Sequence, residues 1–244
     1  MDKAEKERLG EILNERGYKL LFESEHTPEN MTKAKEFLTK AVRLGDLLAV
    51  NNLGAYYHEQ KEYEMSYFCF LEAAMSGIPA AMYNLGKLYY EGCYVRQDYE
   101  RAYMYFEMAY RAGEVCSCFY IGIIAEKGFL ADPDPVRAAR FYQEGVEKKE
   151  RACALNLGYL YNMGLGVPRD MNKAVELYQL ACDWGNPLAF YNLGWHYEHS
   201  MKSEEGIMKA VRYYMDGAEL GEEHCREALD RLKNKGGAGT CRMN

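Results

Sequence analysis

Apolar residues recur along this chain with the spacing of one face of an α-helix, and the runs come in pairs. Tyr83, Leu85, Gly86 and Tyr89 define one such face; Ala102, Tyr105, Phe106 and Ala109 define the next. A glycine-bearing break separates them. Aligned on the first-helix glycine, the pattern repeats at Gly17, Gly54, Gly86, Gly122, Gly158 and Gly194, at intervals of 37, 32, 36, 36 and 36 residues. Sixteen residues after each of the last four glycines stand Ala102, Ala138, Ala174 and Ala210; the second unit reaches Ser66 after twelve, the first Ala34 after seventeen. A fixed period of this length predicts an array of helical hairpins in which each unit buries its apolar face against its neighbours.

Local signals agree with that reading. Asp98, Asp134 and Asp170 stand four residues ahead of the alanines, where a carboxylate caps the second helix, and Pro135 suits a first helical position. The paired glycine and alanine predict close approach of the two backbones, with aromatic residues filling the space between hairpins. Gly45, Gly77, Gly113, Gly185 and Gly221 close the units, but Lys149 stands at that place in the fourth, so an irregular turn is expected at 147–151. The units fall at about 11–47, 48–79, 80–115, 116–151, 152–187 and 188–223, with a capping helix at 224–235 and a disordered tail at 236–244, the whole forming a single domain.

Composition narrows the function. The net charge of −7, from 37 acids against 30 bases, argues against a partner bound through phosphate neutralisation, whether nucleic acid or anionic membrane. No apolar run nears the ~18–20 residues needed to span a bilayer, and the charged N-terminus MDKAEKERLGEIL lacks the apolar stretch of a signal peptide. The eight cysteines share no repeating register and form no C-x-x-C pair, as expected for buried thiols of a reducing compartment. A cytoplasmic location is expected. His196 and His199, with His224-Cys225 downstream, lack the ligand spacing of a zinc site, and nucleophile and phosphate-loop motifs are missing. No catalytic residue, metal or cofactor is expected.

The segments AMYNLGKLYYEG (81–92) with VRQDYERAYMYF (95–106), and ALNLGYLYNMGLGVPRDMNKAVELY (154–178), resemble the Sel-one-like repeat (SLR) family, a relative of the tetratricopeptide repeat. The second unit, with its shorter loop, is closer to a true tetratricopeptide repeat. The resemblance covers about 11–223 and implies an all-α, right-handed α-solenoid of about six helix-turn-helix repeats plus the capping helix. It also implies a protein-binding scaffold or adaptor with a groove lined mainly by first helices.

Candidate contact residues follow from the same alignment. Asparagine precedes Leu-Gly at Asn52, Asn84, Asn156 and Asn192, while Tyr120 and Glu15 take its place in the fourth and first units. Helix propensity does not select asparagine, whereas its amide can both donate to and accept from a peptide backbone. Two readings stay open: a ladder gripping an extended peptide, as the resemblance implies, or amides that cap neighbouring turns. Positions three before, one after and four after each glycine are expected to face the groove. They are Asn51, Ala55 and His58; Tyr83, Lys87 and Tyr90; Phe119, Ile123 and Glu126; Leu155, Tyr159 and Asn162; Tyr191, Trp195 and Glu198. With Lys87 as its only lysine or arginine, this surface does not suit a clamp for a terminal carboxylate and favours an apolar or aromatic segment. Several of the aromatics could instead be core between repeats. Two other classes remain: a β-lactam-binding or hydrolysing enzyme like some cysteine-rich relatives, whose regular cysteine pairs this chain lacks, and a self-associating protein such as a homodimer.

Overall fold

The computed structural model describes residues 2–200 and 203–240. Its elements there are helices: α1 (Lys3–Phe22), α2 (Pro28–Arg43), α3 (Leu47–Glu59), α4 (Tyr63–Met75), α5 (Pro79–Glu91), α6 (Tyr99–Arg111), α7 (Ser117–Lys127), α8 (Pro135–Glu147), α9 (Arg151–Met163), α10 (Met171–Asp183), α11 (Pro187–Ser200), α12 (Glu204–Glu219) and α13 (Glu223–Thr240). No strand occurs among the described residues. Taken in pairs, α1 to α12 are the six hairpins and α13 is the closing helix. The fold is that of an α-solenoid repeat protein.

The chain divides into two compact units, Met1–Ile124 and Ala125–Asn244. In the first, α1 packs on α2, α3 on α4 and α5 on α6, and α2 and α4 each meet the helix that follows. In the second, α9 packs on α10 and α11 on α12, with α8 against α9 and α13 against α12.

In five of the hairpins, the aligned glycine (Gly17, Gly54, Gly86, Gly158 and Gly194) admits a bulky side chain of the second helix. A Cβ on Gly54 would lie 2.7 Å from the Phe70 ring, on Gly86 2.7 Å from Phe106, and on Gly158 2.7 Å from Tyr178. Leu38 takes the same place over Gly17 and Tyr214 over Gly194. The expectation of close backbone approach therefore needs refining. The alanine backbone does come near, with the Ala174 carbonyl 3.3 Å from a Cβ on Gly158, but the main occupant is the aromatic four residues further on.

The caps fall where the aspartates predict them. Asp98, Asp134 and Asp170 accept from the backbone N–H of Arg101, Arg137 and Lys173 at 2.9, 2.9 and 3.0 Å. The first helix begins earlier than the repeat boundary at 11, because Asp2 and Glu5 form a reciprocal capping box. At the other end, α13 continues past 235 through part of the expected tail; residues 241–244 lie outside the described ones.

The turn at 147–151 departs from expectation. Lys149 adopts a left-handed φ of 64° and keeps the hydrogen-bond pair of the glycine turns. Its N–H donates to the Val146 carbonyl and the Glu150 N–H to that of Gly145, as Gly185 and Asn186 do to Cys182 and Ala181. These two hydrogen bonds hold the exposed lysine in a conformation that costs an L-residue about 1 kcal/mol. Lys149→Gly is therefore expected to raise stability by about 0.5–1 kcal/mol, read as a higher urea midpoint at unchanged helicity. A lower midpoint would show that the lysine side chain supports the turn.

Candidate functional site

Five of the predicted contact residues line one pocket in the second unit. Tyr159, Asn162, Met171, Tyr178, Tyr191, Asn192, Trp195 and His196 enclose a pocket of about 220 Å³ between α9 and α11, with Tyr178 of α10 behind. Its two outermost aromatics stay open to solvent, Tyr159 at 42% and Trp195 at 43% exposure. Trp195 is held in place by stacking on His199, ring centres 4.4 Å apart, and the His199 Nδ1 meets the Trp195 carbonyl at 2.8 Å. Tyr178 hydrogen-bonds the Asn162 side chain, and burial pushes its hydroxyl up to about 12. The floor is therefore uncharged at neutral pH. Burial likewise lowers the His196 pKa, favouring its neutral ring.

In the first unit the predicted aromatics have a different fate. Tyr83, Tyr90 and Phe119 all pack edge-on against Tyr120, at 5.7, 5.2 and 5.2 Å, and Tyr120 stacks on Phe106 at 4.6 Å. Tyr120, standing where other units have asparagine, is the hub of a ring cluster that joins neighbouring hairpins. Burial pushes its hydroxyl up to about 12. Lys87 is half-buried, with its ammonium 6.0 Å from the Tyr83 ring centre.

Most of the asparagines have partners within the chain. Asn84 Nδ2 donates to Asn51 Oδ1 at 3.1 Å, Asn51 Nδ2 to Asn52 Oδ1 at 3.3 Å, and Asn52 Nδ2 to Asn14 Oδ1 at 2.8 Å. This amide chain links α5, α3 and α1. It borders a second cleft of about 640 Å³ where Glu7, Glu11, Glu15 and Asp46 gather beside Tyr18 and Leu48. Asn14, in the divergent first unit, was not anticipated; it lies one residue before the aligned place that Glu15 holds. Asn156 hydrogen-bonds Tyr142 in the second unit, while Asn192 lines the aromatic pocket.

In the last three hairpins, the position four after the glycine has an internal task. Tyr142 donates its hydroxyl to Glu126 at 2.9 Å, and Tyr214 donates to Glu198 at 2.9 Å. Together with Tyr178 and Asn162, these pairs follow one rule. In each, the first helix supplies a hydrogen-bond partner 16 residues before the tyrosine, a carboxylate that accepts in Glu126 and Glu198 and an amide that donates in Asn162, because a buried hydroxyl without a partner costs about 1–3 kcal/mol. The sequence signal was the correlated choice at two positions 16 residues apart, which a single-position alignment overlooks.

The histidines weighed as ligands are not gathered into a metal cluster; among the described residues, the group with converging ligand atoms is His58, Glu91 and Cys93. The described cysteines are thiols, and burial pushes Cys69 up to about 11 and Cys182 and Cys225 up to about 12. No described helix is long and apolar enough to cross a membrane.

Comparison with known proteins places these features in a class. The Sel1 repeat model matches residues 8–46, 79–114, 117–149, 151–186 and 187–222, and the chain belongs to the Sel1 repeat family. The second hairpin, with its shorter loop, lies outside the matched segments. Among solved structures, a Sel1 repeat protein from Oxalobacter formigenes is 25% identical over 89% of this chain and 88% of its own, with a TM-score of 0.75. A protective antigen present in uropathogenic Escherichia coli strains, displaying an SLR fold, is 26% identical over 92% of this chain, with a TM-score of 0.74. This chain covers 49% of that structure, so it spans about half its length. An immunity protein from Pseudomonas aeruginosa, 15% identical over 88% of this chain and 83% of its own with a TM-score of 0.59, shares the fold.

Proposed function

We propose that this protein is a non-enzymatic interaction scaffold that holds a segment of a partner protein, with an apolar or aromatic side chain of that segment seated between Tyr159, Tyr191 and Trp195. The observation that carries the reading is the pairing of two exposed aromatics, Tyr159 and Trp195, across a pocket of about 220 Å³. That volume is below the ~300–1,000 Å³ of sites that enclose a metabolite or cofactor, and suits one anchoring side chain. Rigid aromatics give large contact area at small entropic cost, and Asn192 beside them can bond the segment's backbone. Membership of a family of repeat scaffolds supports the same reading.

In the first unit, Asn52, Asn84, Tyr83, Lys87, Tyr90 and Phe119 extend the contact surface in this proposal, and in the second Asn156 does. Their internal bonds make them supports of a firm wall rather than free arms. Phosphate-bearing partners are disfavoured by the net charge of −7.

The test is selection of segments from a displayed peptide library against the full chain, followed by affinity measurement with purified peptides. Tyr159→Ala is expected to weaken selected aromatic-bearing segments about tenfold at unchanged helicity. Segments that bind both forms equally would place recognition elsewhere. Turnover of a chromogenic β-lactam would replace the scaffold reading with the enzymatic one. Self-association has one feature in its favour, an apolar cleft of about 890 Å³ bordered by Ile207, Val211, Met215, Leu229 and Leu232. Light scattering on the eluting gel-filtration peak separates a monomer from a dimer that covers it.

A further inference from the structure

We propose that His58, Glu91 and Cys93 form a binding site for a divalent cation of the zinc class in the first unit. His58 is the penultimate residue of α3 and Glu91 the last of α5. Gly92 then turns the chain with a left-handed φ of 75°. The N–H groups of Gly92 and Cys93 both donate to the Leu88 carbonyl, at 2.9 and 3.0 Å, which folds the thiol back over the helix end. The three side chains each present one ligand atom, and these atoms all lie within 4.8 Å of one another. The Cys93 Sγ is 3.8 Å from the Glu91 Oε2.

One imidazole nitrogen, one sulfur and one carboxylate oxygen make a donor set that suits a borderline-soft cation, and three protein ligands leave a fourth tetrahedral position for water. Metal–ligand bonds of about 2.0–2.3 Å place neighbouring ligand atoms about 3.4–3.6 Å apart. The observed spacing closes to that with side-chain rotations, to which the exposed Glu91 offers no resistance. Cation binding sends the Cys93 thiol proton to solvent, and the sulfur ligates as thiolate.

Repeat architecture does not require these residues. Four after the aligned glycine, where the second repeat has His58, the last three repeats have Glu126, Asn162 and Glu198, each bonded to a tyrosine hydroxyl. Phe70 lies over Gly54 and has no hydroxyl, so His58 has no such task. At the aligned positions of Glu91 and Cys93, the fifth unit carries Met163 and Leu165. The Lys87 ammonium acts on both His58 and Cys93 and opposes a cation; Glu59 and Glu91, acting on His58, offset it. Spacing motifs miss the cluster because 33 residues separate His58 from Glu91 and the two lie in different hairpins.

The experiment is titration of the reduced full chain with Co²⁺ and then Zn²⁺. One equivalent of Co²⁺ is expected to give a thiolate-to-cobalt charge-transfer band with the visible bands of four-coordinate cobalt. Cys93→Ser should remove the charge-transfer band, His58→Ala and Glu91→Gln should each weaken Zn²⁺ binding at least about tenfold, and Lys87→Ala should strengthen it. Far-UV circular dichroism confirms that each variant is folded, and Glu91→Gln, at an exposed position, keeps the test valid if another variant is not. Failure of the band to form, its survival in Cys93→Ser, or unchanged Zn²⁺ affinity in Glu91→Gln would each overturn the site. Because the readout is metal binding alone, its failure is distinct from failure of the peptide-scaffold proposal.

Discussion

Glu198→Ala is expected to destabilise the second unit by about 3 kcal/mol and to loosen α13 before the rest. The Glu198 side chain is only 6% exposed and accepts from two elements at once: the Arg231 guanidinium at 2.6 Å and the Tyr214 hydroxyl at 2.9 Å. It thereby ties α11 to α12 and to α13. Each hydrogen bond to a charged group is worth about 1.5–3 kcal/mol, and removing the acceptor also strands the fully buried Tyr214 hydroxyl. Arg231→Ala should cost less, about 1–2 kcal/mol, because the carboxylate keeps its tyrosine donor and solvent can reach the vacated side. Hydrogen exchange checks the order of events: amides of 223–234 should lose protection in Glu198→Ala while those of α9 and α10 hold theirs. Uniform loss along the unit, or none in α13, would remove Glu198 as the tie.

Gly158→Ala is expected to lose about 2 kcal/mol, although alanine is the better helix former by about 1 kcal/mol. Sterics reverse the sign. The new methyl would sit 2.7 Å from Tyr178 Cε1 and 3.3 Å from the Ala174 carbonyl. The ring is only 3% exposed and its hydroxyl is bonded to Asn162, so it has no low-cost way out. Overpacking of this kind costs typically 1–3 kcal/mol, and here it must also cancel the propensity gain. Tyr178→Leu should rescue in part, so that the double variant loses less than the sum of the two single losses; a purely additive result would show that the glycine is needed for some other reason. Chemical denaturation of the four proteins supplies the comparison, with midpoints used in place of extrapolated energies because repeat arrays need not unfold in one step.

Much of this architecture was legible in the residues. The recurring glycines, the alanines sixteen residues on, and the aspartates ahead of them each report a local requirement, and local requirements survive in sequence. Asp98, Asp134 and Asp170 cap the helices they precede because a cap involves only neighbouring backbone. Legibility failed where two distant positions share one task. Tyr142 with Glu126 and Tyr214 with Glu198 are pairs across a hairpin; the alignment named the two acids only as groove-facing positions and did not single out the tyrosines. Likewise, Lys149 looked like a break in the turn pattern; the turn's hydrogen bonds hold it in the geometry glycine would adopt.

The candidate surface divides along the same line. The alignment named Tyr83, Tyr90, Phe119, Tyr159, Tyr191 and Trp195 as equals, because periodicity fixes which face of a helix a residue occupies. Periodicity is silent on what stands opposite that face. Tyr120 occupies the asparagine place in one unit and draws Tyr83, Tyr90 and Phe119 into a ring cluster, whereas Asn192 leaves room for a pocket between Tyr159 and Trp195. The sequence by itself determined the repeat, its helices, its caps and the family. Tertiary structure alone decided which aromatics are open, which acids are buried and which ligand atoms converge at His58, Glu91 and Cys93. Those depend on distances between residues tens of positions apart, set by the packing of one hairpin on the next.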